Sequence, residues 1–164
     1  MTAVNPIPMP PPLETLRTVY LHPGQIFTAT QPLLVSTILG SCIAVCLWDE
    51  ATSVAGINHY LLPNDPVRGH SDLRYGNISI ERLINEMLGA GATMTRIVAR
   101  LAGGASILGP GSSSRLSIGD QNVAVAREVL QKHGLPIIAE HTGGQRGRKL
   151  VFHTGNGCAY IKEI

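Results

Sequence analysis

The sequence predicts an α+β fold in which mixed β-sheets, packed in layers, are combined with two or three helices. Three observations support this prediction: about eight short strand-like runs that are grouped early in the chain, two helical stripes of apolar residues, and Gly- or Pro-rich turns between them. Grouped strands favour an α+β fold over a doubly wound parallel sheet. The length of 164 residues fits one domain, and 44% hydrophobic residues exclude a disordered chain.

The N-terminal segment differs in composition from the rest of the chain. Five of the eleven prolines lie in residues 1–12, so we expect a disordered Pro-rich tail over residues 1–14 and a single domain over residues 15–164. The tail has no basic region followed by an apolar core, and so does not resemble a secretory signal. No apolar run approaches the roughly 20 residues that span a bilayer. We therefore expect a cytoplasmic protein that is not inserted in a membrane.

The first half of the domain predicts five strands. They are expected at residues 18–22, 25–30, 33–38, 43–48 and 54–62. The fourth run, Ile-Ala-Val-Cys-Leu-Trp, is continuously apolar, which is typical of a central strand that is covered on both faces.

Two later segments have the apolar periodicity of helices. In the first, apolar residues recur with helical spacing at Ile80, Leu83, Ile84, Met87 and Leu88. Either Ser79 or Asn77 is expected to cap the start of this helix. The second helix is predicted from about residue 119 to residue 133.

The second half also predicts four strands around these helices. They are expected at residues 95–101, 135–142, 149–154 and 158–161. The last two flank Gly155-Asn156-Gly157, which is a strong signal for a hairpin.

Charge, aromatic content and motifs exclude several classes of function. The net charge is +2 without a block of Lys or Arg, and aromatic residues make up 4%, so no nucleic-acid partner is expected. Neither a Gly-x-Gly-x-x-Gly motif nor a Gly-rich phosphate loop occurs, so no cofactor is predicted. The three cysteines form an odd set without framework spacing, as is typical of reduced thiols in the cytosol.

Cys42 is the cysteine whose position best suits catalysis. It follows Gly40-Ser41 at the start of the apolar strand, where a tight turn lets a substrate approach and lets backbone N–H groups stabilise an oxyanion. If residues 43–48 and 54–61 pair as a hairpin, His59 lies at the same end as Cys42. An imidazole in hydrogen-bond reach would raise the thiolate fraction for acyl chemistry.

Other interpretations of these residues compete with catalysis. An isolated cysteine is usually inert core, and Cys46, inside the apolar strand, fits that description. Cys158, beside the hairpin turn, has no evident role. A metal site of Cys42, Cys46 and His59 is disfavoured, because structural zinc ligands usually lie two to four residues apart on a turn and no fourth ligand is evident.

Several motifs together resemble the CheD family, the chemoreceptor glutamine deamidases of bacterial and archaeal chemotaxis. The resemblance begins with LGSCIAVCLWDE followed by AGINHYLLP. It continues through ARLAGGASIL, IGDQN and AEHTGGQRGRKLVFHTGNG, and covers roughly residues 24–164.

The resemblance implies a Cys-His-Thr triad that hydrolyses glutamine side chains through a thioester. Cys42 falls on the nucleophile position and His59 on the general base. The family has a threonine six residues before the cysteine, and that position here is Ser36, with Thr37 beside it. Because alternate side chains of a strand point to opposite faces, only one of the two can serve, and the spacing favours Ser36.

The resemblance also implies partners. The substrate would be the cytoplasmic helices of methyl-accepting chemoreceptors, and a CheC-type phosphatase is a further possible partner. A regulatory binding protein for that phosphatase, without catalysis, is therefore the alternative function. A general cysteine amidase or protease-like hydrolase with another substrate is a third hypothesis.

The remaining polar and glycine motifs have structural explanations as well as functional ones. Gly103-Gly104 and Gly143-Gly144 either make tight turns or shape the substrate cleft. Arg146 and Arg148 are expected to be solvated surface charges rather than contacts to a partner. Asn58, on the strand face opposite His59, is expected to be structural.

Overall fold

The computed structural model describes residues 15–67, 71–106 and 116–164. The predicted Pro-rich tail, residues 1–14, lies outside the described residues. The described part contains two α-helices, a short 3-10 helix at Met94–Arg96, and nine strands. The α-helices are α1 (Gly76–Gly89) and α2 (Ile118–Lys132). The strands are β1 (Thr18–Tyr20), β2 (Ile26–Ala29), β3 (Leu34–Leu39), β4 (Ile43–Asp49), β5 (Val54–Asn58), β6 (Ile97–Gly103), β7 (Ile137–Thr142), β8 (Arg148–His153) and β9 (Ala159–Glu163).

The strands form two mixed sheets. The smaller sheet has the order β1-β3-β8-β9 and the larger sheet the order β2-β5-β4-β6-β7. The pairs β1/β3 and β6/β7 are parallel, and the other pairs are antiparallel. This architecture confirms the predicted α+β fold with layered mixed sheets. No helix in the described ranges is long and apolar enough to cross a membrane.

Strand β4 is the centre of the larger sheet and contributes to two hydrophobic cores. Ile43, Val45 and Leu47 pack into the core between the larger sheet and the helices. Ala44 and Cys46, on the other face, pack into the core between the two sheets. The molecule is therefore layered as helices, larger sheet and smaller sheet. Because both faces of β4 are covered, its run of apolar residues has no polar alternation.

Helix α1 packs closely on the larger sheet. Its buried side includes Ile80, Leu83, Ile84 and Met87 of the predicted stripe, whereas Leu88, the last residue of that stripe, is 37% exposed. The predicted cap is wrong, because the helix begins at Gly76 after Tyr75, which makes no side-chain capping bond. The Ser79 hydroxyl instead accepts a hydrogen bond from Asn58 Nδ2 at 3.0 Å. Ser79 thus joins the helix to the sheet rather than starting the helix.

Strand β5 is shorter than predicted, and its end determines the path of the following residues. After Asn58, the backbone of His59 pairs with the turn before β2, and Gly24 N–H donates to the His59 carbonyl at 2.8 Å. Pairing with the central strand resumes at Tyr60, which forms a bridge with Ile43. The turn before β2 and strand β4 therefore fix the backbone around His59.

Candidate active site

Cys42 lies in the connection between the two sheets. The smaller sheet ends at Leu39 of β3, and the larger sheet begins at Ile43 of β4, so the intervening residues, 40–42, cross from one layer to the other. The Cys42 side chain is half-buried and packs against the core between the sheets. We call residues 40–42 the nucleophile loop.

The sheet register brings Cys42 and His59 to one face. Ile43 pairs with Tyr60 and Cys46 with Ile57, so the antiparallel register continues unchanged past the end of β5. Since alternate residues share a face, Cys42 and His59 are diagonal neighbours on the side of the larger sheet that faces the smaller one. The structure thus places on one face the two residues that the sequence analysis expected at the same end of the hairpin.

The third residue at the site comes from the smaller sheet. The Thr37 hydroxyl lies 2.8 Å from His59 Nδ1 and donates its own hydrogen to the Leu21 carbonyl, also at 2.8 Å. A threonine hydroxyl has only one hydrogen to donate, so it accepts from the imidazole. His59 Nδ1 therefore carries the proton. Nε2 is left with the free lone pair, and it is buried without a hydrogen-bond partner among the described residues.

Ser36, which the sequence favoured as the third residue, lies on the opposite face of β3. It pairs with Val151, which belongs to a small apolar cluster on the outer side of the smaller sheet. Val35 and Leu39, on the other face, enter the core between the sheets, and Thr37 lies between them. The expected orientation of β3 is thus corrected, and Thr37, rather than Ser36, reaches His59.

Burial sets the protonation of the two central groups. It lowers the pKa of His59 to about 4, because the imidazolium would lose its hydration. It also raises the pKa of the Cys42 thiol, and the residue's own backbone N–H offsets only part of this effect. Both shifts favour the neutral forms of the two groups, and so act against the raised thiolate fraction that the sequence analysis expected.

The other two cysteines differ from Cys42 in their surroundings. Cys46 is 2% exposed in the core between the sheets, and burial raises the pKa of its thiol to about 12. Cys158 packs against the apolar cluster on the outer side of the smaller sheet. Cys46 shares the inner face of β4 with Cys42 but is closed to a substrate by its burial, and Cys158 lies on the other side of the smaller sheet.

The two Gly-Gly motifs differ in their contacts. Gly103 has φ +114°, and a Cβ atom there would lie 2.0 Å from the Cys42 carbonyl oxygen. The neighbouring Gly104 donates its N–H to that same oxygen at 2.9 Å. Gly143 and Gly144 also have positive φ, but a Cβ atom would meet nothing within 4 Å. The first motif therefore fits the backbone against the nucleophile loop, whereas the second serves a turn.

Arg148 is buried, which corrects the expectation of a solvated charge. Its side chain is 2% exposed, and the guanidinium donates to the carbonyls of His141 and Gly143. It also lies 2.7 Å from His141 Nδ1. Arg148 therefore ties the turn after β7 to β8. Arg146, by contrast, is exposed as predicted.

Asn122 is a polar residue at the site to which the sequence argument gave no role. It lies on α2 and is 0% exposed. Its Nδ2 donates to the carbonyls of Ser41 and Leu61, each at 2.9 Å. Asn122 thus joins the nucleophile loop to the segment that follows His59. The IGDQN segment contains this residue, but only the folded chain shows what it contacts.

Comparisons with known proteins identify close relatives of the chain. A family model described as CheD chemotactic sensory transduction matches residues 61–163. A "Probable chemoreceptor glutamine deamidase CheD 1" of Anaeromyxobacter dehalogenans is 41% identical over 146 residues, which cover 89% of this chain and 84% of that protein. A "Probable chemoreceptor glutamine deamidase CheD" of Rhodospirillum rubrum is 37% identical over 161 residues, which cover 98% and 85%.

Among solved structures, the chain is similar to a Neisseria meningitidis protein of the DUF152 family. The TM-score is 0.51 with 13% sequence identity, and the match covers 80% of this chain and 66% of that one. At this identity the similarity concerns the fold alone.

Proposed function

The chain belongs to the CheD family, and on that premise we propose that it is a chemoreceptor glutamine deamidase. In this proposal it hydrolyses glutamine side chains in the cytoplasmic helices of methyl-accepting chemoreceptors to glutamate, with release of ammonia. The observation that carries the proposal is the arrangement of Cys42, His59 and Thr37, in which the histidine is held in the tautomer of a general base. The catalytic role of each residue rests on this geometry and on the family.

The first half of the reaction forms a thioester. His59 Nε2 takes the proton of the Cys42 thiol as sulfur attacks the carboxamide carbon of the glutamine, and the amide oxygen becomes an oxyanion. The protonated imidazole then gives its proton to the amide nitrogen. The carbon–nitrogen bond breaks, ammonia leaves, and the acyl group remains on sulfur.

The second half of the reaction hydrolyses the thioester. Water enters where ammonia left, and His59 Nε2 accepts one of its protons as the oxygen attacks the acyl carbon. The carbon–sulfur bond breaks, and the proton returns to the Cys42 sulfur. The product is a glutamate side chain, which adds a negative charge to the receptor helix.

Thr37 is the residue that we assign to the orienting position of the triad. By accepting from Nδ1–H, its hydroxyl keeps the lone pair on Nε2, and it stabilises the imidazolium that forms during each proton transfer. Ser36 cannot take this role from the outer face of β3.

A receptor fragment provides the test of the proposed function. We expect the wild-type protein to convert specific glutamines to glutamates, detected by mass spectrometry of receptor peptides as the replacement of a side-chain amino group by a hydroxyl group. The Cys42→Ala variant should be inactive but folded, and Cys158→Ala should be as active as the wild type. Conversion by Cys42→Ala would show that the nucleophile is elsewhere.

The same samples address the alternative of a non-catalytic partner of a CheC-type phosphatase. A folded wild-type protein that binds such a phosphatase and leaves every receptor glutamine unchanged would support the alternative over deamidation. Binding of the phosphatase alone does not distinguish the two, because a deamidase can also bind it.

A further inference from the structure

The backbone of the nucleophile loop is held by all three of its carbonyl groups. The Gly40 carbonyl accepts from Ala105 N–H, and the Cys42 carbonyl from Gly104 N–H, each at 2.9 Å. The Ser41 carbonyl, between them, accepts from Asn122 Nδ2, also at 2.9 Å. Three successive peptide groups are therefore oriented by one turn and one side chain.

The orientation of these carbonyls fixes the direction of the amides. In a trans peptide the N–H group points opposite to the C=O group, and the described chain has no cis peptide bond. The Ile43 N–H is already used, because it donates to the Tyr60 carbonyl. Among the described residues, no backbone carbonyl accepts from the N–H groups of Ser41 or Cys42. These two neighbouring donors remain available for a ligand.

The Cys42 N–H also lies beside the reacting atom. Because both belong to the same residue, only Cα and Cβ separate the nitrogen from the sulfur. An oxyanion hole needs donors close to the atom that attacks, since the negative oxygen forms on the carbon that bonds to sulfur. The Cys42 N–H meets this requirement.

Asn122 is itself held rigidly. Its backbone carbonyl accepts from the Tyr60 hydroxyl at 2.5 Å. Three residues earlier on α2, Gly119 lies so close to the turn of Gly104 and Ala105 that a Cβ atom would be 2.4 Å from the Gly104 oxygen. Helix and turn are therefore in contact, and the Asn122 side chain reaches the loop from a fixed base.

The chemistry of the contacts requires an amide nitrogen at this position. Both partners, the carbonyls of Ser41 and Leu61, only accept hydrogen bonds. A carboxylate at this position would place its oxygen atoms against these carbonyl oxygens, with no hydrogen to share. An aliphatic side chain would leave the two carbonyls without a donor. Asn122 keeps these bonds although its Oδ1 is buried with no hydrogen-bond partner among the described residues, an arrangement that costs stability.

We propose that Asn122 is a positioning residue that presets an oxyanion hole, formed by the N–H groups of Cys42 and Ser41, by holding the Ser41 carbonyl. This proposal rests on the proposed function, because the oxyanion is the one formed when Cys42 attacks a glutamine. Asn122 touches neither the substrate nor the sulfur in this role. Its effect passes through the Ser41–Cys42 peptide group, which rotates when the hydrogen bond is removed.

Two reactions of the Cys42 thiol distinguish the loss of the oxyanion hole from a general loss of structure at the site. Addition to an aldehyde forms a carbon–sulfur bond while the carbonyl oxygen becomes an alkoxide or, after it takes the thiol proton, a hydroxyl group, so it requires the oxyanion hole. Alkylation by iodoacetamide forms a carbon–sulfur bond and releases iodide without an oxyanion. The aldehyde probe is a receptor peptide in which glutamate semialdehyde replaces the glutamine.

The test variants are Asn122→Leu and Asn122→Ala, with Asn58→Leu as the matched control. Asn58 is also 0% exposed and also makes two side-chain hydrogen bonds, but to Val45 N–H and Ser79 rather than to the nucleophile loop. We expect both Asn122 variants to lose about 100-fold in kcat and in aldehyde affinity, with alkylation of Cys42 within about two-fold of wild type. The control should lose stability but keep the wild-type ratio of aldehyde affinity to alkylation rate.

The outcomes are distinguishable. An unchanged ratio in a folded Asn122 variant, or an equal loss in the control, overturns the role of Asn122. If neither Asn122 variant folds, Tyr60→Phe replaces them, because it removes only the hydrogen bond to the Asn122 carbonyl. That variant should lower the ratio several-fold, and an unchanged ratio overturns the proposal. A wild-type protein that binds the aldehyde but does not deamidate receptors would refute the proposed function and leave the Asn122 inference standing.

Discussion

Thr37 and His59 meet across the interface of the two sheets, and the 2.8 Å contact between them decides which nitrogen of the imidazole is basic. Because the Thr37 hydroxyl gives its hydrogen to the Leu21 carbonyl, it can only accept from His59. The proton therefore sits on Nδ1 and the lone pair on Nε2. A single hydroxyl on the smaller sheet thus controls the base on the larger one.

Removal of this hydroxyl should lower turnover strongly. Thr37→Val keeps the shape of the side chain but cannot accept from Nδ1–H, so we expect kcat to fall by at least about 100-fold with little change in KM. Ser36→Ala, the neighbouring control, should keep kcat within about two-fold. Steady-state deamidation of one receptor fragment provides both values. A large loss of kcat in Ser36→Ala, with little loss in Thr37→Val, would instead support Ser36 as the third residue, as the sequence favoured.

The pH dependence should reveal the low pKa of His59. The acid limb of kcat/KM reports the free enzyme's base, so we expect the rate to persist well below pH 6.5 and to fall near the His59 pKa of about 4. Measurement is confined to the pH range in which the protein remains folded. A limb centred between pH 6 and 7 would contradict the assignment of a desolvated imidazole.

The same group should also make folding stability depend on pH. The folded pKa of about 4 lies below the ordinary value of 6.5, so the unfolded chain binds a proton that the folded protein excludes in that window. The contribution of His59 to the free energy of unfolding is complete above pH 6.5 and decreases as pH falls towards 4. Urea unfolding of the wild type and of His59→Gln, compared at pH 7.5 and 5, should show a steeper loss in the wild type.

Alkylation should identify Cys42 as the accessible thiol at the site, with a raised pKa. Since the thiolate is the reactive form, the rate of iodoacetamide labelling at Cys42 should continue to rise above the pH at which an ordinary cysteine is half ionised. Cys46 should react only when the protein unfolds, because it is buried between the sheets. Peptide mapping at several pH values measures both. Labelling of Cys42 that is already maximal at neutral pH would indicate a preformed thiolate.

Two glycines provide a matched test of the turn behind the nucleophile loop. Gly103→Ala adds a methyl group 2.0 Å from the Cys42 carbonyl oxygen, whereas Gly143→Ala adds one to open space, and both positions have positive φ. We expect Gly143→Ala to cost about 1 kcal/mol through backbone strain alone. Gly103→Ala should cost more and also lower kcat. Thermal unfolding and deamidation assays compare the two, and equal stability with equal activity would count against a role for the close approach.

The burial of Arg148 leads to a prediction about stability rather than partner binding. Arg148→Met leaves the carbonyls of His141 and Gly143 without their donor, so we expect a loss of about 2–4 kcal/mol in the free energy of unfolding. Arg146→Ala, on the exposed turn, should change it by less than about 0.5 kcal/mol. Denaturant titrations of the two variants provide the comparison. A stable Arg148→Met protein with weakened receptor binding would favour a contact role instead.

The layered fold and the position of Cys42 and His59 on one face of the larger sheet were predictable, because both depend on short-range patterns. The continuous apolar run of β4 indicates a central strand, and a hairpin of β4 and β5 brings their adjoining ends together. The alternation of side chains follows from the backbone geometry of a strand, and the register of a hairpin follows from its hydrophobic pattern and its turn.

The orientation of β3 was not predictable, because both of its faces are covered. Leu34 packs on the outer side of the smaller sheet, and Val35 and Leu39 pack on the inner side, so the apolar pattern does not distinguish the two. Which of Ser36 and Thr37 faces the larger sheet is therefore decided by tertiary packing and not by the sequence pattern. The roles of Asn122 and Arg148 were also not predictable, because their acceptors are backbone carbonyls, whose positions leave no pattern in the sequence.

The position of Thr37 and His59 on different layers has a consequence for local opening. A fluctuation that parts the sheets by a few ångströms would separate Thr37 from His59 without breaking any ladder within either sheet. The imidazole would then be free to exchange its tautomer and to take up water, while most backbone amides stayed protected. Loss of the Thr37–His59 contact and loss of amide protection would thus follow from different motions. Hydrogen exchange of the strand amides would change little in a state in which the proposed catalytic arrangement is already broken.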